Sequence, residues 1–308
     1  MSSGASMGVL AIERPAPHVG EGPAGSGRML RALLRRRGAL VGVLIALAVA
    51  LVALAAPLLA PADPNDGEIF QRLQPPAWLS HKSVGGLMGT DQLGRDVLSR
   101  VIHGSRVSLL VGSVSVLLAG SLGLALGLVA GYAGRHLDNI IMRITDVQMA
   151  FPFILLALAI IAILGQGIVN MIVVFAVTDW TVFARTIRGS VLSIREKDYV
   201  EAARALGCSH ARILVHHILP GVVSPLIVLA SFEMAKIIIY EASLSFLGLG
   251  VPQAIPSWGQ MLADGREYIQ TAWWISTFPG LPLMITVLGI NFIGDGLRDA
   301  LDPRLQHY

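Results

Sequence analysis

From Val107 to Gly134 the chain carries no Asp, Glu, Lys or Arg, and from Ala39 to Ala60 it runs through 22 residues without a charge. The hydrocarbon core of a bilayer takes about 20 consecutive apolar residues of α-helix to cross. No water reaches the backbone there, so every N–H and C=O must be bonded within the segment, which a helix does. Runs of this length, in a 308-residue chain with mean hydropathy +0.67 and 14% charged residues, exclude a soluble globular protein.

Reading the remaining runs the same way gives an all-α polytopic membrane protein with six transmembrane helices. Residues 1–38 form a basic N-terminal segment whose Gly, Ser, Pro and Ala content predicts disorder. Ala53-Leu54-Ala55 resembles a signal-peptide cleavage site, but the apolar core of a signal peptide is about 7–15 residues. The 39–60 run is longer and is read as an uncleaved first span. An extracytoplasmic loop, 61–106, follows, in which Asp96 caps a short amphipathic helix leading into a second span from about Ser108 to Gly131. Gly123, Gly127 and Gly131 recur every four residues, a stripe that lets a neighbouring helix approach closely in lipid. The third span, about Ile140 to Leu164, is expected to kink at Phe151-Pro152. Gly165-Gln166-Gly167 turns the chain into a fourth span, about Ile168 to Thr186, and a polar, basic loop covers 188–220. The fifth span runs from about Val222 to Tyr240. A second extracytoplasmic stretch, Glu241 to Trp274, precedes a sixth span from about Ile275 to Ile293, and 298–308 is a tail; 107–297 is thus the transmembrane core.

Basic residues set the orientation. With the N-terminus inside, sixteen Lys and Arg fall on cytoplasmic segments and six on outside ones, with Lys236 inside a span. Both termini and the 188–220 loop are therefore expected in the cytoplasm.

Asp198 to Pro220 is an unusual connection. Asp198-Tyr199-Val200-Glu201 has the spacing of a capping box, in which Asp198 accepts from the Glu201 N–H and Glu201 reaches back. Gly207 stands where a left-handed residue would end that helix, Ser209 is placed to cap a second one, and Pro220 marks a break. Tyr199, Ala202, Ala203 and Leu206 share one mildly apolar face. An amphipathic loop lying on membrane lipid would satisfy the same pattern. Cys208, the only cysteine, excludes an intramolecular disulfide and is read as passive.

Glu201-Ala202-Ala203, Gly207 and Ile218-Leu219-Pro220 resemble the EAA loop of permease subunits of binding-protein-dependent ABC importers. The place two residues before Leu-Pro, apolar in the family pattern, holds His217 here. Further segments, GTDQLGRDVLSRVIHGSRVSL (89–109), DVQMAFPFILLALAI (146–160), FARTIRGSVLSIREKDYVEAARALG (183–207), EASLSFLGLGVPQAIPSWGQML (241–262) and GDGLRDALDPR (294–304), look like the C-type permease of the dipeptide/oligopeptide branch, which includes nickel and glutathione importers. The resemblance implies a type I ABC importer permease fold in a bacterial cytoplasmic membrane. It implies a B-type permease partner, two ABC ATPase subunits or domains carrying ATP and Mg, an extracytoplasmic solute-binding protein, and peptide as cargo, with nickel, glutathione or another small solute as the alternative. Tyr199, Glu201, Ala202, Ala203, Leu206 and Gly207 would then dock on the ATPase, and Glu241 to Trp274 would meet the binding protein.

A phosphate-binding loop needs Gly-Lys, and none of Lys82, Lys197 and Lys236 follows a glycine, so no P-loop ATPase is expected in this chain. Gly248-Leu249-Gly250 lacks the third glycine of a dinucleotide fingerprint. His216 and His217 point about 100° apart on a helix, a poor geometry for one metal. No enzyme, cofactor, metal or nucleic-acid site is expected. Ionisable groups inside spans are costly and mark candidate pathway residues: Asp179 in the fourth span, Glu233 and Lys236 in the fifth. Glu233 and Lys236, three apart, could instead be a structural pair. Asp179 shows no partner in its own span, and is expected either to line the pathway or to meet a cation on a partner subunit. Two other classes stay open: an ion-gradient-driven secondary transporter, which often shows internal repeats not found here, and a membrane scaffold or channel.

Overall fold

The computed structural model describes residues 36–79 and 86–301. The expected disorder and basic cluster up to Arg35, Lys82, and the tail beyond Leu301 lie outside the described residues. Within them the chain is helical, with two isolated antiparallel bridges, Gly67 to Arg95 and Thr90 to Asp96, and no strand. Helix α1 is Arg37–Leu54, α2 Ala56–Leu59, α3 Val97–Tyr132, α4 Arg135–Met149, α5 Phe153–Leu164 and α6 Ile168–Arg195. Then come α7 Asp198–Ala205, α8 His210–Ile213, a π turn Leu214–Ile218, α9 Leu219–Phe246, α10 Trp258–Gly265 and α11 Trp274–Leu301. The helices α1, α3, α6, α11 and the run His210–Phe246 are each long and apolar enough to cross a bilayer.

The sixth crossing bends at the expected Phe151-Pro152, but far more sharply than a kink: α4 and α5 meet at 91°, and there are six spans if the bent pair counts as one. Pro152 lacks an N–H and forces Phe151 out of the helical region. Moreover, α4 carries Arg135, Asp138, Arg143 and Asp146 and cannot settle wholly in hydrocarbon. The 12 residues of α5 reach about 18 Å at ~1.5 Å per residue, short of a ~30 Å core. Gln148 pins the elbow: its Nε2 donates to the Val177 and Thr178 carbonyls at 2.7 and 2.9 Å, and Trp180 Nε1 donates to its Oε1 at 3.1 Å.

Helix α6 is the hub, with 56% of its most apolar stretch buried against 17% for α1. Its seam with α3 is built on the glycine stripe. A Cβ at Gly127 would lie 2.7 Å from the Ala184 carbonyl oxygen and 2.8 Å from Ile187 Cβ, while Gly123 faces Phe183 and Gly131 faces Val191. In lipid no hydrophobic drive separates helix from tail, so this close van der Waals approach is what holds the pair. A second seam joins α1 to α11, where Gly42 meets Gly289. Arg36, preceding α1, pairs with Asp299 near the end of α11, so the chain enters and leaves the bundle on one face.

Helix α3 is longer than expected. Asp96 does cap it, its Oδ2 accepting from the Ser99 N–H at 2.7 Å, but the amphipathic lead-in and the span form one continuous 36-residue helix. The first turns of α3 are buried under residues 61–79, residues 86–96 and α10. Asp91 Oδ1 accepts from the N–H groups of Leu93 and Arg95 at 2.8 and 3.0 Å. Its Oδ2 takes Arg95 Nε at 2.7 Å, with Arg100 Nε at 3.5 Å. Asp264 of α10 faces both arginines at 3.8 and 4.0 Å. Trp258 Nε1 donates to the Val101 carbonyl and Trp274 Nε1 to that of Thr90, clamping the cap to the bundle.

Candidate functional site

The loop between α6 and α9 folds as a compact unit. Val200 and Ala203 of α7 and Ile213 and Ile218 of the next turns are buried against Ile187, Val191, Ile194 and Val222 of the two long helices, with Cys208 half-buried beside them. Arg195 Nη1 donates to the Gly131 carbonyl at 2.9 Å, and Tyr132 shares a 2.8 Å hydrogen bond with His210, so the end of α3 is tied to the loop from two sides.

Helix α7 begins one residue earlier than the capping-box reading requires. Lys197 is the N-cap and makes no side-chain cap, so Asp198 and Glu201 stand in the first turn, where their charges favour the positive end of the helix dipole. The C-terminus follows expectation in detail. Gly207 has φ +79°, its N–H donates to the Arg204 carbonyl at 3.0 Å, and the Cys208 N–H donates to that of Ala203 at 3.1 Å, which is a Schellman motif.

The six loop residues divide by burial. Ala203 faces the chain's own core, whereas Tyr199, Glu201, Ala202, Leu206 and Gly207 face outward. Leu206 is 84% exposed and Tyr199 46%, on the same stripe as Ala202. The C-terminal half of the loop also differs from the expected helix, break and span. Ser209 caps α8 through the Arg212 N–H, but Pro220 stops nothing. It sits in the first turn of α9, and the preceding five-residue π turn absorbs its missing hydrogen bond, so His210–Phe246 is continuous. Ile218 is buried and His217 only partly so, with its Nδ1 enclosed and unpartnered.

The three charged residues inside the spans come together. Lys236 Nζ donates to Asp179 Oδ1 at 2.9 Å and pairs with Glu233 one turn away. The cation that Asp179 was expected to find on a partner subunit is in its own chain, 57 positions onward, which leaves the other expectation, a place on the pathway, as it stood. Asp179 and Lys236 border a cavity of about 170 Å³ beside the α4–α5 elbow, shared with Gln148, Phe153, Thr181 and Tyr240, whereas Glu233 lies outside its lining. Asp179 lies about 17 Å from the start of α6 and about 24 Å from its end at ~1.5 Å per residue, so triad and loop are separate sites on the same helices.

The Glu241 to Trp274 stretch, expected to begin outside the span and to meet the binding protein, instead opens inside α9, which runs on to Phe246. Glu241 is fully buried in α9, accepting from Ser245 Oγ at 2.9 Å and from Ser108 Oγ of α3 at 3.1 Å. Its signal was the charge opening EASLSFLGLG at a span's end; Asp91, Arg95 and Arg100 likewise sat in a motif noted for likeness alone, and Asp264 in none of them.

Residues 123–307 match the family described as the binding-protein-dependent transport system inner membrane component, and residues 26–76 match the N-terminal TM domain of oligopeptide transport permease C. The chain is 43% identical over 271 residues to the di/tripeptide transport system permease protein DppC of Pseudomonas aeruginosa, covering 88% of this chain and 89% of that one. It is 43% identical over 276 residues to the glutathione transport system permease protein GsiD of Pectobacterium atrosepticum, covering 90% of each. Among solved structures, an inward-facing MetNI methionine ABC transporter chain superimposes with a TM-score of 0.55 at 22% identity, covering 66% of this chain and 97% of that one. That likeness gives the fold, a type I ABC importer permease. The chain belongs to the inner-membrane permease components of binding-protein-dependent transport systems, a multi-pass protein of the bacterial inner membrane.

Proposed function

We propose that this chain is the C-type permease subunit of an ATP-driven importer of short peptides, coupled through α7 to a separate ATPase. The observation that carries the coupling is Leu206, an apolar side chain 84% exposed on a helix whose opposite face is fixed in the loop core. Exposed with Tyr199 and Ala202, it forms a ready docking ridge for a cytoplasmic cleft. The excess of basic residues on this side supports a cytoplasmic position for the loop and both termini.

The two ATPase subunits bind ATP and Mg, close, and carry α7 with them. Because α6 and α9 both enter the loop core and both carry triad residues, displacement of α7 moves the walls around Asp179 and Lys236. ATP shifts the pathway only insofar as α7 contacts the ATPase differently in its two states. A solute-binding protein delivers cargo on the far side, where Ile269 and Trp273 are exposed within the Glu241 to Trp274 stretch, and a B-type permease completes the pathway. Peptide is favoured by the names of the relatives with which this chain shares about 43% identity, with glutathione, itself a peptide derivative, among them.

Gly207 supplies the test. No neighbour lies within 4 Å of a Cβ built there, so an arginine meets nothing in this chain. Both Gly207→Ala and Gly207→Arg carry the left-handed backbone cost of about 1–2 kcal/mol, but only Arg adds bulk at the docking surface. Gly207→Arg is expected to insert normally, leave ATPase activity in the assembled complex and abolish uptake, with Gly207→Ala retaining most of it. Equal uptake by the Arg variant and the wild type would remove α7 from the coupling path.

A further inference from the structure

The triad holds two carboxylates against one ammonium, a surplus of one negative charge in the middle of the span. Asp179 Oδ1 is taken by Lys236, whereas Asp179 Oδ2 is buried with no hydrogen-bond partner, in a side chain only 5% exposed. A buried carboxylate oxygen without a donor is expensive, and the carboxylate borders the cavity at the elbow. That cavity, about 170 Å³, is below the ~300–1,000 Å³ of sites that enclose a whole small ligand, so it fits one end of a molecule. Its other walls include Phe153 and Tyr240, whose rings stack at 4.2 Å, and Lys236 itself lies 5.8 Å from the Tyr240 centroid. Aromatic faces beside carboxylate favour an organic cation.

We propose that Asp179, where its carboxylate borders the cavity beside Lys236, forms a station for the free α-ammonium of the passing solute, with Glu233 supplying the surplus charge from outside the cavity lining. A proposal of this kind rests on the peptide reading above, since every linear peptide with an unblocked N-terminus presents that group. The incoming ammonium pairs with the Asp179 carboxylate from the cavity and balances the surplus charge, and its aliphatic neighbour packs on Phe153. Lys236 keeps the two carboxylates together between arrivals, so the site holds cargo loosely enough to release it. A divalent metal fits less well: it would want about six oxygen ligands, and Lys236 would repel it from the two carboxylates offered. The station sits on α6 and α9, the helices that enter the loop core, so the ATPase cycle can change the spacing of Asp179 and Lys236.

Glu233→Gln separates this role from a structural one, because it leaves Asp179 and Lys236 as a balanced pair. The complete complex, with both permeases, ATPase subunits and solute-binding protein, is reconstituted in proteoliposomes, and Ala-Ala uptake is measured per ATP hydrolysed. The variant should assemble and keep ATPase stimulation by loaded binding protein, while Ala-Ala moved per ATP falls about tenfold, because the surplus charge that draws the ammonium to Asp179 is gone. Glu233→Asp should restore it, and N-acetyl-Ala-Ala moved per ATP should not fall. Unchanged Ala-Ala per ATP, a matching loss for the acetylated peptide, or failure of Glu233→Gln to assemble would each overturn the proposal. A wild-type complex whose ATPase answers to Ni²⁺ and which moves no Ala-Ala fails earlier, at the cargo reading, and takes the station with it.

Discussion

Both carboxylate oxygens of Asp91 are engaged, one by two backbone N–H groups and the other by Arg95 and Arg100, and all three side chains are almost wholly buried. Removing that charge leaves two guanidinium groups facing Asp264 alone. Breaking one partner out of a buried ion cluster costs about 3–5 kcal/mol. Asp91→Asn is therefore expected to lower the thermal unfolding temperature of the purified protein clearly, as followed by circular dichroism in detergent. A shift no larger than that of an exposed control such as Asp63→Asn would show that the cluster contributes little. Single residues were legible in the sequence where their partners were local: Glu233 with Lys236 at three residues, Gly207 as a left-handed helix end, Asp96 as a cap. They were hidden where the partner came from another helix. Asp179 meets Lys236 only once α6 and α9 pack, and Ala203 turns inward only because α7 lies on α6 and α9. Asp198 was misplaced by one residue because α7 starts directly after Lys197, without a side-chain cap.

At the level of elements, the seam between α3 and α6 depends on backbone approach at Gly127. A valine there would force its Cβ to within 2.7 Å of the Ala184 carbonyl, a backbone atom that cannot step aside. Overpacking of this kind costs about 1–3 kcal/mol. Gly127→Val should reduce the yield of folded protein on size-exclusion chromatography, while Gly189→Ala, on α6 with open space around it, should leave it unchanged or improve it. Equal behaviour of the two variants would mean that the helices are not locked at this stripe. The existence and order of the long helices were readable from uninterrupted apolar runs, since lipid permits little else. Of the breaks, the one at Phe151-Pro152 was readable in place but not in sharpness, and the one expected at Pro220 is absent. Pro152 and Pro220 look alike in sequence, yet one lies at a 91° elbow and the other passes through a continuous run. The difference lies in the neighbours: α4 is too polar for hydrocarbon, whereas a π turn before Pro220 spares the helix.

For the whole molecule, the account is one of transmission. A glycine-ended helix exposes Leu206 on one face and fixes the other in a core shared by α6 and α9, and those helices carry the charged triad to mid-span. Pairing of Arg36 with Asp299 sets the start of α1 and the end of α11 on one face, as an even number of crossings would. Cargo was the least legible level, because the motifs that identify the family lie in the cap, the loop and the helix ends. The most direct test is the ATPase activity of the purified complex in proteoliposomes, with and without its solute-binding protein, across di- to pentapeptides and Ni²⁺. The account predicts an ATPase that co-purifies with this permease and is stimulated by peptide-loaded binding protein, with peptide accumulating inside. A permease that purifies without any ATPase, or that moves solute with no ATP present, would contradict it.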